Sequence, residues 1–149
     1  MKKGQAATEY ILVSSLILII FIPATILFLI NIRNSNDDLA ISKLNKIGND
    51  IVDNAVEVFY QGEPAKVTMK ESLPAGIVNM TILKDWSSSV NQIVFLVSLK
   101  GKNNELVFDS DVNIDGSFTK NQFSKGIKNI VLEAKSTSNG VPYVNISIK

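Results

Sequence analysis

The sequence predicts an α+β protein: a long N-terminal hydrophobic α-helix continuing into an amphipathic helix, followed by a small antiparallel β domain of about six or seven strands. Three observations predict it. No Asp, Glu, Lys or Arg interrupts residues 10–32; apolar residues then recur at steps of three and four over residues 40–58; beyond residue 64 they alternate with polar residues at a period of two.

Residues 2–10 read Lys-Lys-Gly-Gln-Ala-Ala-Thr-Glu-Tyr, so two lysines, a glycine and one acid stand directly before the apolar run. As a helix, residues 10–32 are long enough to cross roughly 30 Å of hydrocarbon. A secretory signal has a shorter apolar core of roughly 7–15 residues and then a small-residue cleavage site. Here Asn31, Ile32 and Arg33 follow instead, so the segment is expected to stay on the chain. The positive-inside bias keeps Lys2 and Lys3 on the cytoplasmic side and sends the C-terminal bulk outward. Glu9 is the odd residue, because a carboxylate at the start of an apolar helix must snorkel to water, take up a proton or find a cation. A peptidase cut between Gly4 and Gln5 would remove both lysines and free an α-amino group, largely cationic near neutral pH, that can pair with a carboxylate of a packed neighbour. Pro23 takes one backbone donor out of the run, so the helix kinks or loosens there, or its neighbours shield the freed carbonyl.

The stretch Lys2, Lys3, Gly4, Gln5, Ala6, Ala7, Thr8, Glu9, Tyr10, followed at once by the apolar run, resembles the class III signal peptide of archaeal type IV pilin-like proteins. The resemblance covers roughly the first thirty residues. It implies that a prepilin peptidase cuts after Gly4, that Gln5 begins the mature chain, and that Glu9 is the family's acid at the fifth mature position. Gln5 favours pilin over the archaellin branch, whose mature chains usually begin differently. The further implications are a precursor held in the cell membrane with its β domain outside, assembly by a pilus ATPase and membrane platform, and a homo-oligomeric helical filament serving surface adhesion. The apolar helix would pack in the filament core, and local melting at Pro23 on assembly fits the same family pattern.

The second helical stretch follows a polar cluster, residues 31–38, that weakens helix and offers Ser35 or Asn36 as a new N-cap after a bend. Ala40, Leu44, Ile47, Ile51, Ala55 and Val58 then form a narrow apolar seam flanked by Ile41, Val52 and Phe59. Such a seam packs on the chain's own β domain, meets other subunits as in a coiled coil, or does both. Gly62 suits a C-cap and Pro64 cannot continue a helix. The expected organisation is therefore a cleaved leader at 1–4, an apolar membrane and filament-core helix at 5–32, an amphipathic helix at 33–62 and an extracellular β domain at 63–149.

Within that domain the period-two runs are Val67 and Met69; Val78, Met80 and Ile82; Ile93, Phe95, Val97 and Leu99; Val112 and Ile114; and Val144, Ile146 and Ile148. Turn signals separate them at residues 74–76, 86–89, 100–104, 115–116 and 138–140. Residues 93–99, apolar on nearly both faces, suit a central strand, and Trp86 is placed to plug one end of the core.

Composition narrows the chemistry. The 149 residues carry 15 basic and 14 acidic side chains, a net charge of +1, so no global field draws the chain to nucleic acid. Cysteine and histidine are both absent, which removes Cys/His dyads, His-based triads, common zinc ligand sets and disulfides. Neither a catalytic residue nor a cofactor is assigned, and lysines 66, 70, 84 and 100 read as solvated strand positions. Asp111, Asn113, Asp115 and Gly116 match the opening of a calcium loop, but its twelfth position is Gln122 instead of a bidentate glutamate and strand-like segments flank it. The alternative is a β-hairpin in which Asp115 and Gly116 make the turn, with Val112 and Ile114 facing the core. Asn79 and Asn145 open glycosylation sequons on strands that turn them outward, although a chain with 15 Asn and 21 Ser or Thr yields about two such triplets by chance. Two functional classes follow: a structural filament subunit, major or minor, or a membrane-anchored extracellular module that binds a sugar, a surface or a partner protein.

Overall fold

The computed structural model describes residues 2–85, 90–99 and 101–149, with side chains from Thr8 onward except Arg33 and Asn34. The expectations for Trp86 and Lys100 lie outside the described residues. One helix, α1 (Lys2–Gln61), is followed by seven strands: β1 (Lys66–Leu73), β2 (Ile77–Asp85), β3 (Val90–Leu99), β4 (Lys102–Asp109), β5 (Ile114–Asp115), β6 (Gly126–Ser136) and β7 (Pro142–Ile148). The α+β class and the strand number agree with the sequence.

The polar stretch 31–38 does not end the helix, contrary to the bend and the N-cap at Ser35 or Asn36 expected from it. Its residues each disfavour helix by only about half a kcal/mol, which helical segments on both sides outweigh. Pro23 likewise lies inside α1. The helix ends as the sequence indicates. Gly62 adopts φ 70°, and its N–H donates to the carbonyls of Val58 and Phe59, both at 3.2 Å.

The chain divides into two compact units, Met1–Asp38 and Leu39–Lys149. The helix that ends at Gly62 contributes to both units, and its amphipathic half supplies one wall of the second unit's core. Leu44, Ile47, Ile51, Ala55 and Val58 are at most 1% exposed, with Ala40, Ile41, Val52 and Phe59 packed at the margin.

The other walls are two sheets, of order β1-β6-β7-β5 and β2-β3-β4. Their apolar faces turn to one common core: Ile93, Phe95 and Val97 from β3, Ile130 and Leu132 from β6, Val144, Ile146 and Ile148 from β7. Strand β3 is the centre of its sheet, as residues 93–99 indicated. Val78 departs from expectation and is 46% exposed, because the β2–β3 register shifts between Ile77 and Asn79 and leaves Met80 and Ile82 to face inward.

Residues 112–116 do not form the expected hairpin. Ile114 and Asp115 pair in parallel with Val144 and Asn145, and the Val144 N–H donates to the Asn113 carbonyl at 2.8 Å. Gly116 permits this route by its missing side chain: a Cβ there would stand 2.4 Å from the Ile146 carbonyl oxygen. Asp115 Oδ1 accepts from the Gly116 N–H at 2.8 Å and so holds the turn away from the hairpin geometry.

Candidate functional site

The first unit is dominated by an apolar helical surface. From Tyr10 at 75% exposure to Ile32 at 42%, the large apolar side chains point outward in every direction around α1. A helix apolar on all sides cannot be satisfied by water and suits hydrocarbon or a packed bundle. The few polar side chains here fit that setting. Ser14 Oγ donates to the Ile11 carbonyl at 3.0 Å, Ser15 Oγ to Leu12 at 2.9 Å and Thr25 Oγ1 to Phe21 at 2.8 Å. These three hydroxyls spend their protons on the helix's own backbone and so demand no solvent acceptor. This is the one helix among the described residues that is long and apolar enough to cross a membrane.

Gly4 and Gln5 have helical backbones within α1, and Glu9 is exposed one residue before the apolar run opens. The structure thus places the three residues of the expected processing and assembly signal on the opening turns of one helix.

Asp115 and Asn113, two of the calcium candidates, are engaged with other partners. Asp115 Oδ2 pairs with Lys84 Nζ at 2.5 Å, Asn113 Nδ2 donates to the Pro142 carbonyl at 3.1 Å, and Asp111 is exposed. Among the described residues no three acidic, histidine or cysteine side chains are grouped to hold a metal ion. Asn113 instead belongs to a buried polar corner that the sequence did not signal. There Asn91, 6% exposed, donates from Nδ2 to Asn113 Oδ1 at 3.4 Å and accepts at its carbonyl from the Ser110 N–H at 2.7 Å, while its own Oδ1 is buried without a partner.

The sequon residues stand on the outer sheet faces. Asn79 and Thr81 are exposed on β2, whereas Asn145 and Ser147 are half-buried on β7, which β6 and β5 flank. One carboxylate titrates away from its ordinary range. A hydrogen bond and charge from Lys135, and then the charge of Lys66, hold Glu133 below the usual 4.5. The ion pairs measure 3.2 Å to Lys135 and 3.8 Å to Lys66.

Comparison with protein families, curated proteins and solved structures finds no match for this chain. A long N-terminal apolar helix followed by a β-sheet unit is compatible with a pilin-like architecture.

Proposed function

We propose that this chain is a structural subunit, a pilin, of an archaeal type IV pilus-like surface filament. A prepilin peptidase cuts after Gly4, the apolar helix holds the precursor in the membrane with the second unit outside, and an assembly ATPase and membrane platform transfer it to the filament core. The observation that carries this proposal is the contrast between the two units. Residues 10–32 expose apolar side chains on all sides, while residues 39–149 bury a complete core of their own. A membrane anchor alone needs the first property, but the Gly4, Gln5 and Glu9 pattern before it adds a cut that discards the orienting lysines and keeps the helix. Adhesion is the activity expected of the exposed β surface, and no catalysis is assigned to it.

Intact mass and N-terminal mapping of purified surface filaments test the proposal. A repeating subunit that begins at Gln5 supports it. A start at Met1 contradicts processing, and recovery of the chain solely as a membrane-bound monomer sinks the filament role in favour of an anchored binding module.

A further inference from the structure

The outward faces of the two sheets carry opposite character. On the β2-β3-β4 sheet, Thr81, Val94 and Val107 share one row across the strands, and Leu83, Gln92 and Asp109 share the next. Leu83 is 49% and Val107 47% exposed, an apolar centre on this face. Its β4 rim is acidic. Glu105 and Asp109 flank Val107, and Asp109 accepts from the neutral Gln92 Nε2 at 2.6 Å.

On the β1-β6-β7 face the balance reverses. Val131 lies between Thr68 and Ser147, with Lys66 and Glu133 in the row on one side and Lys70, Asn129 and Lys149 in the row on the other. Glu133 cancels only one of the two lysines that hold it, Lys66 and Lys135, and Lys70 and Lys149 add to the net positive charge of this face.

We propose that these two faces meet between copies of the chain: the apolar, acid-rimmed β2-β3-β4 face of one subunit seats on the lysine-bearing β1-β6-β7 face of the next. The charge complementarity selects a second copy as the occupant, because each subunit carries both halves of the match. Two different surfaces in contact make a heterologous interface, which repeats instead of closing into a dimer. The contact rests on the filament role proposed above and adds to the helical core a lateral bond between outer domains. It also covers the row of Asn79, Leu96 and Glu105, so the Asn79 sequon stays unmodified in the filament.

Charge reversal in the full chain tests it. Glu105→Lys with Asp109→Lys, and separately Lys70→Glu with Lys149→Glu, place like charges across the contact and are expected to lower the yield of sheared filaments roughly tenfold or more. Combining all four substitutions is expected to restore it. Wild-type yield from both single-face variants overturns the contact while leaving the filament role standing, whereas a wild-type chain that makes no filaments overturns both. Crosslinking decides independently of the reversals, since the chain has no cysteine of its own. With a bis-maleimide, Thr68→Cys combined with Val107→Cys is expected to give a ladder of multimers from intact filaments, and filaments without a ladder overturn the contact. Dimers from Val107→Cys alone, or a glycan mass on Asn79 in the filament subunit, overturn it as well.

Discussion

Gly48 shows how one residue registers helix against sheet. It is buried on the core face of α1, where a Cβ would lie 2.4 Å from the Phe108 ring, and that ring packs against Phe95 at a centroid distance of 5.3 Å, tilted by 56°. Glycine in a helix interior costs about 1 kcal/mol relative to alanine, so the close approach must return at least as much. Gly48→Ala is expected to destabilise the second unit by about 1–3 kcal/mol through overpacking, read as a lower unfolding midpoint, with partial rescue by Phe108→Leu. At the buried corner, Asn91→Leu is expected to be tolerated better than Asn91→Asp. The leucine removes an unpaired acceptor, whereas the aspartate would bury a charge among Asn113 and Ser110. Comparing the two midpoints checks it. Glu133 gives a pH dependence. Its titration is lowered by folding, so its contribution is present above about 4.5 and is lost as pH falls through the lowered range. Glu133→Gln should therefore separate from wild type in unfolding midpoint near neutral pH and converge with it in acid.

At the scale of elements, α1 divides by what its sides need. In the apolar half, Leu18→Arg places a charge near mid-span and is expected to oppose insertion by about 2.5–3.5 kcal/mol, visible as loss of the chain from the membrane fraction. Glu9→Ala is expected to leave insertion and cleavage intact while lowering filament yield; unchanged yield would favour simple snorkelling. The amphipathic half was legible in the sequence because steps of three and four name one face, and every seam residue from Leu44 to Val58 is buried. The strands were less evenly legible. Strand β3 declared itself by alternation, but β4 begins with Lys102, Asn103, Asn104 and Glu105, all exposed, and offers no apolar period until Leu106. Strand β6 fails the period-two test for the opposite reason: Ile130 and Leu132 face the core, yet Val131, in the middle row of the outward face between Thr68 and Ser147, is also only 7% exposed. The turn at Gly116 was misread because an Asp-Gly pair encodes local turn preference, while a parallel partner made later in the chain decides its use. For the candidate site, the apolar run lay in plain sequence. The charge contrast of the two sheet faces did not, because it depends on which strands become neighbours.

For the whole molecule, the division before Leu39 predicts a separable domain. A chain of residues 39–149 is expected to stay soluble and unfold cooperatively, whereas residues 63–149, stripped of the helix wall, should lose that cooperative transition. Circular dichroism melts of the two fragments decide this.

The position of β7 carries a consequence for timing. It fills the place between β6 and β5, and Lys149 exchanges both backbone hydrogen bonds with Asn129. A chain delivered N-terminus first therefore holds a gap in its larger sheet until residues 142–149 arrive, with β5 waiting for its partner throughout. The larger sheet thus stays pliant through most of synthesis and becomes firm only once β7 fills that gap.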